Sequence, residues 1–176
     1  MTKILISALV CASAVLVPAA AQAQSGGDPT VEPFVGVSAG YHDLGASPSE
    51  FKNEETAIFG VVGGVDLAVG ETLFVGAEGN FHLGTGLVDQ EYGAAARVGA
   101  RLGDNAKIYV RGGYQEVKYD LSGLVFINPP PKTFGDYLVG AGAEFGLGDS
   151  PIKLRVGVDT IGFDTTRATG AVVFGF

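Results

Sequence analysis

An all-β fold, eight antiparallel strands closed up-and-down into a transmembrane barrel, is predicted by three observations. The 176-residue chain alternates apolar with small, polar or charged residues in eight stretches, and a period of two is the mark of a strand. Its 28 glycines are scattered through every stretch, where they would break helices. Short turns alternate with longer connections, as they do when strands run up and down between two rims. The longest apolar run, Ile4 to Val17, has 14 residues, fewer than the roughly 18 needed for a spanning helix. A net charge of −8 argues against a nucleic-acid binder, which needs a basic footprint.

The elements follow in chain order. Lys3, the apolar run from Ile4, Pro18 and the triplet Ala21-Gln22-Ala23 have the layout of a secretory signal over residues 1–23. Cleavage there removes Cys11, the single cysteine, and leaves 10 basic against 19 acidic residues. The mature chain then has no thiolate metal ligand and no disulfide. Residues 24–32 (QSGGDPTVE) read as a flexible leader, and 33–176 as the barrel. Strands are expected at 33–44, 56–67, 72–83, 90–102, 106–119, 134–147, 151–163 and 166–176. The tight turns fall at 68–71, 103–105 and 148–150, each with turn-forming residues. Longer connections fall at 45–55, 84–89 and 120–133, with a short one at 164–165.

Where the charges fall decides which face meets what. In the seventh strand Ile152, Leu154, Val156 and Val158 oppose Lys153, Arg155, Gly157 and Asp159. All five arginines (97, 101, 111, 155 and 167) take the parity opposite the apolar residues. A water-soluble barrel would put its apolar face inside; a membrane barrel turns it outward to lipid. The polar face here is mostly Gly, Ala and charges of both signs, which suits the crowded interior of eight strands. Tyr41, Tyr92, Tyr114 and Tyr137 lie on the apolar parity, some eight to ten residues from the short turns. They are placed as an aromatic girdle at one membrane interface.

The final residues, Ala171-Val172-Val173-Phe174-Gly175-Phe176, put Val172, Phe174 and Phe176 on one face. This resembles the C-terminal signature of bacterial outer-membrane barrels, read by the assembly machinery of that membrane. With the export signal and eight strands, the chain resembles the small barrels of the OmpA-transmembrane, OmpX and opacity-protein type. That resemblance implies a Gram-negative outer-membrane location, lipids and lipopolysaccharide as surroundings, and the barrel assembly machinery as a partner during biogenesis.

Within the lumen, Glu78, Arg97, Arg111, Glu144 and Arg155 fall at comparable middle heights. Buried charges must be paired, so Glu78 and Glu144 are expected to bridge the three arginines. Lys107, Lys153, Arg101 and Asp66 lie toward the short-turn rim; His42, His82, Glu91, Asp136, Asp159 and Arg167 lie toward the other. The network either fills and rigidifies the lumen or, as the resemblance implies, acts as a gate; filling is the expectation. Some barrels of this size modify lipids with a serine, a histidine and a carboxylate. Here His42 and His82 are the only histidines, and Ser38 is two pleats from His42. No catalytic residue, metal site or cofactor is therefore expected. The 120–133 loop carries Leu124, Val125, Phe126 and Ile127, an apolar run that offers contact to an extracellular partner. The expected function is a structural role in the envelope, with surface adhesion through this loop as the alternative.

Overall fold

The computed structural model describes residues 30–43, 55–85, 88–119 and 132–176. The signal segment, most of the leader and first long loop, and Leu124, Val125, Phe126 and Ile127 lie outside the described residues. Eight strands are present among the described residues: β1 (Val31–Asp43), β2 (Glu55–Val69), β3 (Leu73–Gly84), β4 (Val88–Leu102), β5 (Ala106–Tyr119), β6 (Lys132–Gly146), β7 (Ile152–Ile161) and β8 (Thr165–Gly175). Each pairs antiparallel with its chain neighbours, and β1 pairs with β8 to close the barrel. The predicted fold class is the observed one. Among the described residues no sheet edge is left unpaired, which is what a barrel achieves and an open sheet cannot.

The register fixes the shear. From Pro33 the pairing runs through Val65, Ala77, Ala96, Gly112, Val139, Thr160 and Thr166, and returns to β1 at Asp43. One circuit is therefore displaced ten residues along the strand. With a rise of roughly 3.3 Å per residue and a strand spacing of roughly 4.7 Å, eight strands then tilt by about 40° around a radius of about 8 Å. That radius leaves room for side chains and little else.

The alternation sorts the two faces. Val37, Val61, Val98, Val110, Val156 and Val158 point outward and are 50–62 % exposed, whereas the opposite parity is buried. Three short turns, at the end called lower here, carry Gly70, Gly103 and Gly148 with φ of 62–69°, the left-handed region that glycine enters without a Cβ penalty.

Strand ends differ from the sequence expectation by up to two residues, and three differences bear on the interior or the turns. β1 begins at Val31, so Glu32 belongs to the barrel and not to a flexible leader; its carboxylate is held by Arg101 and Lys107. A register shift between Val88 and Gln90 turns both Val88 and Glu91 inward, as one extra residue in a strand does. At the upper end, β7 and β8 are joined by Gly162, Phe163 and Asp164, the first two at positive φ, where 164–165 was expected. The Asp164 N–H donates to the Ile161 carbonyl at 3.3 Å across these two left-handed residues, a turn whose hand suits the twist of the flanking strands.

Inward glycines are steric requirements where neighbouring strands crowd. A Cβ on Gly60 would come within 2.6 Å of the Cα of His82 and overlap the Phe81 carbonyl oxygen. We expect Gly60→Ala to destabilise the barrel by about 1–3 kcal/mol, the usual cost of overpacking, measured as a lower urea midpoint of the refolded chain. Gly63→Ala, on the outer face with nothing nearer than 3.5 Å, should leave that midpoint within about 0.5 kcal/mol.

Candidate functional site

The lumen is the candidate site, and it is built from strand parity. Inward positions on β2 to β8 supply Asp66, Glu78, Glu91, Arg97, Lys107, Arg111, Glu144, Arg155, Asp159 and Arg167, all buried. Among the described residues the buried ionic side chains are therefore five acids and five bases. Leaving a buried charge unpaired costs several kcal/mol, so a sealed lumen has to balance.

At the centre, Glu78 of β3 receives all three arginines. Arg97 Nη1 donates to it at 3.0 Å and Arg155 Nη1 at 3.1 Å, and Arg111 Nη1 is in direct contact. Glu144 of β6 takes Arg155 Nη2 at 2.9 Å and also touches Arg97. It does not bridge to Arg111, whose second partner is Asp159, engaged by Nε and Nη2 at 2.7 Å each. The reason is register: Glu144 stands opposite Lys107 and Arg155, whereas Arg111 on the adjacent β5 stands opposite Gly140, four residues further along β6.

Downward, Arg97 Nη2 reaches Asp66 at 3.2 Å, Lys107 Nζ joins Asp66 at 2.9 Å and Glu32 at 2.6 Å, and Arg101 caps Glu32 at 2.6 Å. Asp66 thus couples the lower mouth to the centre. Lys153 lines an open cavity of about 270 Å³ at that mouth with Glu32, Lys107 and Phe176. Upward, Arg167 holds Asp159 through Nε (3.0 Å) and Nη2 (2.9 Å), and Glu91 through Nη1 (2.6 Å). Asp136, placed by parity among the upper lumen groups, is instead exposed at the rim, where its Oδ1 accepts the Tyr137 N–H at 2.7 Å.

Three inward aromatics, absent from the sequence-based site, brace the cations. The Arg97 guanidinium lies 4.1 Å from the Tyr109 ring centroid and 5.1 and 5.3 Å from Phe34 and Phe74; Arg155 lies 4.4 Å over Phe34. Such contacts gain strength when the cation is desolvated. The signal was present: Phe34, Phe74 and Tyr109 share the parity of the charges.

Histidine chemistry occupies the upper layer. Ser38, Gly60, His82 and Glu91 lie on one register row across β1 to β4. Because Gly60 has no side chain, the Ser38 hydroxyl reaches over β2 to His82 Nε2, 2.6 Å away. The histidine that serves Ser38 is therefore His82 and not His42 of its own strand. His82 Nδ1 lies 3.3 Å from Glu91 Oε1, His42 Nδ1 donates to Glu91 Oε2 at 2.8 Å, and His42 Nε2 is 3.2 Å from the Thr165 hydroxyl. Serine, histidine and carboxylate stand in the order of a hydrolase relay, but the cavity beside Ser38 is only about 20 Å³. That is room for one water and none for an ester.

Outside, Tyr41, Tyr114 and Tyr137 are 48–71 % exposed, with Tyr114 and Tyr137 edge-to-face at 6.2 Å. Tyr92 is half-buried, its hydroxyl on Glu116 of the next strand. Val172 and Phe174 face outward beside the exposed Phe176, with the two phenylalanine rings 6.1 Å apart.

Against known proteins, the architecture has parallels. Neither a family profile nor a curated protein sequence matches this chain. Among solved structures it is similar to Ail, the attachment invasion locus protein of Yersinia pestis, at a TM-score of 0.56 and 15% identity, covering 83% of this chain and 98% of that one. It is also similar to the N-terminal β-barrel domain of Pseudomonas aeruginosa OprF (0.52, 12%, covering 83% and 97%) and to Neisserial surface protein A (0.51, 9%, covering 83% and 97%). The shared property is the fold of a small outer-membrane barrel. At these identities the lumen chemistry is this chain's own.

Removing the central acceptor tests the network. Glu78→Ala leaves three buried arginines short of their shared partner and is expected to cost about 3–5 kcal/mol. Urea unfolding of the refolded barrel measures it, and an unchanged midpoint would mean that the arginines find other partners.

Proposed function

We propose that this chain is an integral outer-membrane barrel of a Gram-negative envelope, structural and not catalytic, whose lumen is plugged by its own ion pairs. The carrying observation is the inverted distribution: apolar side chains cover the outside while ten ionic groups are buried within. Water would reward the opposite arrangement; a bilayer rewards this one. β-Strands tilted by about 40° cross a hydrocarbon layer in roughly ten residues, and β1 to β8 run 10 to 15 residues. Exposed Tyr41, Tyr114 and Tyr137 supply interfacial anchors near the upper rim. Membrane lipid is then the chain's main partner, the assembly machinery its partner during biogenesis, and the long-loop end the outer side.

A plug follows from the pairing. The interior cavity among Ser38, Arg111, Arg155 and Arg167 is about 20 Å³, so no hydrated ion passes without breaking several bridges. In planar bilayers at neutral pH the refolded chain is expected to show no discrete openings; steady conductance in the wild-type barrel would overturn the plug. Outward-facing Val110→Arg should cost about 2–4 kcal/mol in a bilayer, the depth-dependent charge cost at the mid-plane. Lipid-vesicle unfolding measures that cost, and a neutral substitution would place this face away from lipid.

A further inference from the structure

Between the central ion pairs and the histidine layer lies the cavity of about 20 Å³, whose wall carries the guanidinium groups of Arg111, Arg155 and Arg167, the hydroxyls of Ser38 and Thr169, and His82. Among the described residues no carboxylate lines it. The register explains why a gap opens here. Arg155, Ala171 and Ser38 form one inward row across β7, β8 and β1, and Asp159, Arg167 and His42 form another. The row between them is Gly157, Thr169 and Gly40, and two of its three members have no side chain. A Cβ on Gly157 would stand 3.5 Å from both Arg111 Nη2 and Thr169 Oγ1, so a methyl-sized space adjoins the two.

We propose that this cavity binds one monatomic anion of chloride size, held by Arg111, Arg155 and the Thr169 hydroxyl. Volume decides the size: about 20 Å³ takes a single water-sized occupant and excludes sulfate, phosphate or a carboxylate. The wall decides the sign. Three cations face the space, while their carboxylate partners Glu78, Glu91, Glu144 and Asp159 lie outside its lining. A guanidinium has more N–H groups than its carboxylates take here. Arg155 gives Nη1 to Glu78 and Nη2 to Glu144, and its Nε is buried without a hydrogen bond. Thr169 makes no side-chain hydrogen bond among the described residues, whereas Ser38 is engaged with His82. Such donors gain most from a charged acceptor in a low-dielectric interior.

Charge balance points the same way. The buried acids and bases are equal in number, but the lower mouth adds Glu32 against Arg101 and Lys153. The inward groups taken together therefore hold one base more than acids, and one bound anion makes them even. Binding needs no change of protonation and breaks no ion pair. The guanidiniums keep their carboxylates and offer the N–H groups left over. The site thus goes beyond the plugged reading of the lumen and adds a component to its interior.

Equilibrium unfolding reads the site without passage of an ion through the lumen. Urea unfolding of the refolded chain at neutral pH is compared in sodium chloride and in sodium gluconate, whose anion is too large for the cavity. The wild-type unfolding constant is expected to be about tenfold lower in chloride, as a site with a dissociation constant about ten times below the salt concentration confers. Gly157→Ala puts a methyl into the space at ordinary contact distance, and Thr169→Val removes the hydroxyl at nearly constant volume. Each variant should still fold and lose the chloride dependence by about threefold or more. Gly63→Ala, on the outer face, should keep it in full. Crystals grown in bromide should show an anomalous peak beside Arg111, Arg155 and Thr169. A wild type equally stable in both salts overturns the site, since the cavity then holds a water at most, and leaves the plug to its own conductance test. A dependence undiminished in Gly157→Ala or Thr169→Val comes from salt acting elsewhere and overturns the assignment, as does bromide found only at other places in the barrel.

Discussion

Glu78 takes three guanidinium groups into one carboxylate in the narrow middle of the barrel, and the rest of the interior is arranged to make that possible. Three cations around one anion would repel one another, so Glu144 shares Arg97 and Arg155 from one side and Asp159 shares Arg111 from the other. Each added acid then acquires a further base, Lys107 through Asp66 below and Arg167 through Asp159 above. The chain of bridges ends only where side chains meet the mouth, at Glu32, or the histidine layer, at Glu91. A low-dielectric lumen strengthens each pair and penalises each vacancy. The interior therefore behaves as one unit, and single bridges have no separable worth.

This ionic core needs its apolar surroundings as much as they need it. A soluble barrel keeps charges in water at little cost, whereas here they are confined by a radius of about 8 Å and a continuous hydrogen-bonded wall. Phe34, Phe74 and Tyr109 stack on the guanidinium faces that no carboxylate reaches, which replaces water where water has no room. Glycine makes the complementary concession: Gly60 opens the path from Ser38 to His82, and Gly99 leaves room for the Phe74 ring and the Tyr109 Cβ. Function and packing are thus the same set of contacts. On the proposed reading, the pairs that close the lumen also make it rigid.

Sequence alone determined the class of this protein because its information is periodic. A period of two, with charges confined to one parity and tyrosines to the other, implies eight strands and separates two faces without any knowledge of pairing. The parity of Arg97, Arg111 and Arg155 was legible for the same reason, and so was the need for acids among them, since buried charge requires partners. Strand ends were less legible at β1 and at the β7–β8 turn. There Glu32 looks like solvent-exposed leader until Arg101 and Lys107 are beside it, and Gly162-Phe163 looks like strand until its dihedrals are known.

What only the tertiary structure decided is who meets whom across the lumen. Partners on facing strands depend on the ten-residue shear, and shear is a property of closure around the whole barrel, to which local patterning is blind. The register that adds up to that shear sets Arg111 opposite Gly140 and not Glu144, brings Asp159 to both Arg111 and Arg167, and lines up Ser38, Gly60, His82 and Glu91 on one row. The bulge at Val88 and Gln90 turns Glu91 toward that row. Alternation says which way a side chain points, and only a closed, tilted sheet says what lies opposite.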